Sequence, residues 1–261
     1  MKKKIEAFSR LLTIMDELRE KCPWDIKQTI ESLRYLTIEE IYELSDAILE
    51  NDMQEIKKEL GDILLHIVFY SKIASETDDF DISDVINSLC DKLVHRHPHI
   101  YGDVKVIDEL EVKKNWEKLK LQEGKKSVLE GVPKSLPAIV KSLRIQEKVR
   151  GIGFDWDNNH QVWDKVLEEI EELKVEIEKG NQDRIESEFG DVLFALINYS
   201  RFINVNPEDA LERTNKRFIK RFQIMEDLID KEGLILSEMT LSEMDIFWGK
   251  SKKKLQKIIN I

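Results

Sequence analysis

Apolar residues along this chain recur at three- and four-residue intervals, the period of a helix face. No convincing stretch alternates in the two-residue period of a strand, so the pattern predicts an all-α fold. Residues 1–20 carry Phe8, Leu11, Leu12, Met15 and Leu18 on one face and read as a first helix. A turn at Cys22-Pro23-Trp24-Asp25 follows. Helices are expected over about 30–49 and 53–75, joined by the polar turn Glu50-Asn51-Asp52. Another begins after Asp81, with Asp81 or Ser83 as its cap. The apolar run 63–70, which includes His66, is too short to span a bilayer and reads as one buried helix. Gly124, Gly131, Pro133 and Pro137 mark residues 122–137 as a linker between an N-terminal unit, 1–121, and a C-terminal unit, 138–261.

The two units repeat one another. Ile38-Glu39-Glu40-Ile41-Tyr42-Glu43-Leu44 matches Leu167-Glu168-Glu169-Ile170-Glu171-Glu172-Leu173. Glu59-Leu60-Gly61-Asp62 matches Glu188-Phe189-Gly190-Asp191, and Tyr70-Ser71 matches Tyr199-Ser200. The offsets 168 − 39, 188 − 59 and 199 − 70 are all 129. Chance does not hold one offset through two acidic blocks and the turn between them, so the chain reads as a duplicated helical unit. A Trp-Asp pair precedes each block, Trp24-Asp25 and Trp156-Asp157.

The repeated blocks carry the chemistry. At about 100° per residue, Glu168, Glu169 and Glu172 share a third of one helix's circumference. Glu188 and Asp191 share a face of the next helix, which is apolar nearly all round through Phe189, Val192, Leu193, Phe194, Leu196 and Ile197. An antiparallel pair would gather up to five carboxylates at the edge of an apolar core, with Gly190 expected to allow close helix approach. Like charges so crowded repel and raise one another's pKa unless a cation neutralises them. All-oxygen ligands, with no His or Cys at ligand spacing, point to Mg²⁺ or Mn²⁺ rather than Zn²⁺. Metal-assisted attack of water on phosphorus is the natural reaction class, with a carboxylate not used by the metal as general base. A lone E-E-x-x-E is usually a solvated acidic face; pairing with E-x-x-D, twice at one offset, reverses that reading. A di-iron bundle would want Glu-x-x-His, and neither Glu59 nor Glu188 has His three residues on. The alternative of another class is a non-catalytic module that senses nucleotides or docks a partner.

Composition narrows the picture. A net charge of −11 argues against a general nucleic-acid binder but not against a small phosphate-bearing substrate met through a cation. The basic tail, Lys250 with Lys252, Lys253 and Lys254, reads as a solvated helix end. Two cysteines and a start without an apolar signal segment make a cytoplasmic protein, with no membrane partner, the expectation.

At these residues the sequence resembles the MazG family of nucleoside triphosphate pyrophosphohydrolases. The match includes Cys22-Pro23-Trp24-Asp25 with Gln28-Thr29, both acidic pairs, and Arg96-His97-Pro98-His99. It continues through Gly131-Val132-Pro133, Leu136-Pro137 and Gly153-Phe154-Asp155-Trp156. The resemblance implies an all-α homodimer whose paired antiparallel helices form four-helix bundles on association. It also implies Mg²⁺ dependence and cleavage of ribo- and deoxynucleoside triphosphates, with broad base tolerance, to monophosphate and pyrophosphate. It puts metal ligands on Glu169, Glu172, Glu188 and Asp191, with Glu168 in the same catalytic set. Substrate contacts fall on Glu168, Arg184, Ser187, Arg217, Lys220, Arg221 and Trp248. The arginines could meet phosphate oxygens bidentately, and Trp248 could either stack on a base or simply pack a late helix. The N-terminal unit departs from the family pattern at Ile30, at Tyr35-Leu36-Thr37 and at His95-Arg96. The C-terminal cluster is therefore expected to be the working site. Glu39, Glu40, Glu43, Glu59, Asp62 and Arg96 form a second candidate site. His95, His97 and His99 read as a packed turn rather than metal ligands.

Overall fold

The computed structural model describes residues 1–107, 111, 112, 115, 116, 119 and 127–259, the side chains of 257–259 excepted. Residues 122–126 of the expected linker, Gly124 among them, lie outside the described residues. The described secondary structure is helical throughout, with no strand. Among the described residues no helix is long and apolar enough to cross a membrane. The chain divides into two compact units, Met1–Val112 and Lys113–Ile261.

Unit 1 holds α1 (Lys2–Lys21), α2 (Ile30–Glu50), α3 (Met53–Ser75), α4 (Ile82–Arg96) and the short α5 (Pro98–Tyr101). Local chemistry sets each boundary. Thr29 and Ser32 form a capping box that starts α2. Asn51 ends α2 in the left-handed conformation (φ 57°), and Asp52 caps α3 by accepting from the Gln54 and Glu55 N–H groups. The polar turn is thus the hinge of an α2–α3 hairpin. Of the two cap candidates for α4 it is Asp81 that caps, accepting from the Ser83 and Asp84 N–H groups. Met15, Leu33, Val68 and Phe69 form the buried centre, packed round by Phe8, Leu11, Leu12 and Leu65. Each such side chain stabilises the unit by about 1.5–3 kcal/mol. Arg19 pins the Cys22-to-Gln28 turn: it donates to both Glu76 oxygens (2.7 and 2.9 Å) and to the Ile26 and Gln28 carbonyls (3.0 Å each).

Unit 2 holds α6 (Ala138–Gly151), α7 (Asn159–Lys179), α8 (Gln182–Phe202), α9 (Pro207–Lys231) and α10 (Leu241–Ile259). Asn158, Asn181 and Asn206 cap α7, α8 and α9. Gly180 (φ 71°) turns the chain between α7 and α8 at the position where unit 1 uses Asn51. Val162 and Val166 of α7 are buried, as are Val192, Ala195 and Ile197 of α8. A second core joins α9 to α10 through Met225, Ile229 and Phe247. The tail lysines lie on α10, where Ser251 and Leu255 are buried and Lys252 and Lys253 exposed.

Two expectations need correction. The run 63–70 is not buried all round: His66, Val68 and Phe69 are buried, whereas Leu64 and Ile67 face outward. The helix α3 packs against α1, α2 and α4, and its Leu60, Leu64 and Ile67 stand exposed. Gly190 does not mediate a close approach within the chain, since a Cβ there would meet nothing within 4 Å. The α7–α8 contact is made instead by the Val192 and Ala195 side of α8.

Candidate active site

The hairpins bring the acidic blocks together, but as triads rather than sets of five. In unit 2, carboxylate oxygens of Glu169, Glu172 and Glu188 all lie within 4.8 Å of one another. In unit 1 the same holds for Glu40, Glu43 and Glu59, each 129 residues earlier. Glu168 and Asp191 stand outside the first triad, and Glu39 and Asp62 outside the second. Helix spacing explains the choice. Glu169 and Glu172 of α7 meet Glu188 of α8, while Glu168, exposed like Glu172, pairs with Lys165.

The electrostatics match the crowding. Burial, then the neighbouring charges of Asp62 and Glu43, hold Glu40 above the ordinary carboxylate range. Burial, then Glu169, does the same to Glu172. One lysine answers each triad, and the two lysines are not equivalent. In unit 2, Lys165 of α7 ion-pairs Glu168 at 2.8 Å and Glu169 at 2.7 Å. In unit 1, Lys58 of α3 ion-pairs Glu59 at 2.8 Å and Glu55 at 3.4 Å. Glu168 and then Glu169 hold the Lys165 proton more tightly than usual; Glu59 does so for Lys58, which in turn lowers Glu59. Lys165 escaped the reading of the motifs, although its i,i+3 and i,i+4 spacing to Glu168 and Glu169 was a signal.

The other expected site residues sit apart. Arg184 and Ser187 are exposed on the first turns of α8, on the approach to Glu188. Arg96 is half-buried at the end of α4. Arg217 and Lys220 are exposed on α9, whose main packing partner is α10, whereas α7 packs on α8. Arg221 does not reach out as a free cation. Its guanidinium lies 3.7 Å from the centre of the Trp248 ring and donates to the Trp248 carbonyl at 2.8 Å. Phe218 leans on the same ring, centroids 5.1 Å apart. Burial lowers the Arg221 pKa.

Exposed apolar side chains flank both triads at matched positions. Leu167, Phe189, Leu193 and Leu196 of unit 2 correspond to Ile38, Leu60, Leu64 and Ile67 of unit 1, and all eight are exposed, Phe189 by 55%. Loops of both units are pinned by arginine. Arg201, with 8% of its side chain exposed, grips both Asp155 oxygens at 2.6 and 3.1 Å beside Trp156.

The MazG nucleotide pyrophosphohydrolase domain matches residues 28–101 and 158–224, two segments that each span one hairpin and its triad. The chain belongs to the MazG family. It is 45% identical over 250 residues to the nucleoside triphosphate pyrophosphohydrolase/pyrophosphatase MazG of Thermotoga maritima, covering 94% of this chain and 95% of that one. It is 38% identical over 259 residues to the nucleoside triphosphate pyrophosphohydrolase of Escherichia coli K12, covering 96% and 98%. A crystal structure of a MazG-related protein from Thermotoga maritima aligns with 43% of this chain and 98% of that one, at 31% identity and a TM-score of 0.39. The family's two segments contain both acidic triads, Arg184, Ser187, Arg217, Lys220 and Arg221, but stop short of Trp248.

Proposed function

We propose that this protein hydrolyses ribo- and deoxynucleoside triphosphates, with broad base tolerance, to the monophosphate and pyrophosphate, and that the unit 2 cluster is the working site. The observation that carries the reading is the convergence of Glu169, Glu172 and Glu188 inside a segment that matches the family domain. Three carboxylates so close, one of them held above its ordinary pKa, form a donor set that suits a divalent cation. Glu169, Glu172 and Glu188 would hold Mg²⁺, or Mn²⁺, with Asp191 completing the set. The ion would supply charge neutralisation and polarisation of phosphate oxygens.

The chain's own groups do the rest. Lys165, already against Glu168 and Glu169, is placed to turn toward an incoming phosphate when a cation takes over Glu169. Arg184, Arg217 and Lys220 supply further cationic groups for the phosphate chain, and Ser187 a hydroxyl. Trp248, stiffened by Arg221 and Phe218, offers a ring for base stacking that does not read base identity. Glu168, outside the triad, is a carboxylate left to accept the proton of the attacking water. The matched exposed apolar faces suit pairing with a second copy of the chain into four-helix bundles. Such pairing would bury side chains such as Phe189 and exclude water from the clusters.

The test is product identification with a panel of nucleoside triphosphates and Mg²⁺. Monophosphate and pyrophosphate in equal amounts are expected. Nucleoside diphosphate and orthophosphate would overturn the proposal, as would intact nucleotide bound without turnover.

A further inference from the structure

Arg150 and Arg201 meet at the open end of the unit 2 hairpin, away from the acidic cluster. Arg150 lies in the last turn of α6 and Arg201 in the last turn of α8. Arg201 follows Glu188 by 201 − 188 = 13 residues, about 20 Å along α8 at 1.5 Å per residue. With Asp155, Phe202 and Asn204 the two arginines line a cavity of about 190 Å³. A site for a drug-sized ligand runs to roughly 300–1,000 Å³, so this one suits a single small group.

One carboxylate answers two guanidiniums there. Arg201 uses four of its five N–H groups. Its Nη1 and Nη2 hold the Asp155 oxygens at 3.1 and 2.6 Å, and its Nε and Nη2 donate to Asn198 Oδ1 at 3.2 and 2.6 Å. Arg150 Nε stands 3.5 Å from Asp155 Oδ2, an oxygen already engaged by Arg201. The Arg150 side chain donates no hydrogen bond among the described residues. The clamp on the loop is complete with Arg201 alone, so Arg150 is surplus to it. A basic residue in a last turn also offsets the helix dipole, but that needs neither a cavity nor a shared carboxylate.

Unit 1 has the matching cavity with the opposite balance of charge. Lys72 and Ser75 line a space of about 220 Å³ together with Asp16 and Asp81. The offsets 201 − 72 and 204 − 75 are both 129, as in the acidic blocks. Lys72 is neutralised by Asp16 at 2.7 Å. One cation thus faces two carboxylates in unit 1, and two cations face one carboxylate in unit 2. Both halves keep the space, and unit 2 lines it for an anion.

We propose that this cavity binds the phosphoryl group of a small phosphate, as the free ion or as a phosphate monoester, between the Arg150 and Arg201 guanidiniums. Arg150 brings the planar pair of donors that phosphate oxygens take bidentately, and Arg201 brings its remaining Nη1–H. The rest of a monoester stays outside, since the space holds little beyond the phosphoryl group. The site stands whether or not the unit 2 cluster hydrolyses nucleotides.

The experiment is isothermal titration calorimetry of the full-length protein without divalent cation, with inorganic phosphate and adenosine monophosphate as separate probes. Saturable binding is expected, weakened at least about tenfold by Arg150→Gln through loss of charge-assisted hydrogen bonds. Arg150→Lys, which keeps the charge without the fork, should recover only part of it. Arg144→Gln removes an arginine from the same helix and should leave affinity within about twofold. Arg217→Gln, on α9, should do the same. Arg150 is half exposed with one ion pair, so circular dichroism should show an unchanged fold in its variants. Arg150-dependent binding of either probe supports the proposal and names the source of the phosphoryl group. Binding of neither probe overturns it, as does binding that Arg144→Gln weakens as much as Arg150→Gln. Binding lost with Arg217→Gln but kept with Arg150→Gln belongs to the unit 2 cluster and overturns it too.

Discussion

Glu172 and Glu40 show how the site stores charge. Each is held above the ordinary carboxylate range by burial and by like charges, so each ionises at a cost in the folded chain. A raised folded-state pKa contributes stability in full below the unfolded value and loses it as pH rises through the folded one. Glu172→Gln should therefore melt higher than wild type at about pH 7.5 and match it near pH 4, where both side chains are neutral. Calorimetry of the cation-free protein at the two values checks this. A gain that is equal at both would contradict it. The same proton competes with the cation, so Mn²⁺ affinity should fall as pH drops through the raised carboxylate pKa values. Arg221 yields a second residue-level prediction. Arg221→Lys keeps the charge but loses the flat stack on Trp248, so KM for nucleoside triphosphates should rise several-fold. Hydrolysis of inorganic tripolyphosphate, which has no base, should change less. The acids themselves were legible from spacing alone. Which three of five converge was not, because that depends on the roll of two helices, and the use of Arg221 on Trp248 depends on a contact 27 residues away.

At the scale of elements, the hairpins follow from chemistry readable in the chain. Helical period, the caps Thr29, Asp52, Asn158 and Asn181, and the left-handed turn residues Asn51 and Gly180 set each boundary. Coverage was not readable. An apolar run such as Phe189 to Ile197 looks the same whether its outer face packs inside the chain or stands exposed, as it does here. If that face meets a second copy, Phe189→Asp should shift the protein toward monomer in sedimentation velocity without loss of helical signal. An unchanged sedimentation coefficient for a wild-type dimer would place the interface elsewhere. The arginine clamps were likewise invisible in the sequence. Arg201→Ala strips both hydrogen bonds from Asp155 and should cost about 2 kcal/mol in chemical denaturation, as loss of a partly buried, charge-assisted pair does.

On the scale of the whole molecule, the chain is one helical hairpin design used twice and wired differently each time. Lys165 guards one triad and Lys58 the other; Arg201 pins one loop and Arg19 the other. Duplication preserved the carboxylates and let their counter-charges drift, which is how two like sites can come to serve different ends. The phosphate-binding candidates Arg184, Arg217 and Lys220 belong to unit 2. The decisive measurement is the rate of pyrophosphate release from ATP and Mg²⁺ by two full-length double variants. Glu169→Gln/Glu172→Gln should lose at least about a hundredfold in kcat, as expected when a charge-stabilising group is removed from a site of this kind. Glu40→Gln/Glu43→Gln should keep kcat within about threefold of wild type. Equal losses in the two, or a loss confined to the second, would contradict the assignment of hydrolysis to the unit 2 cluster.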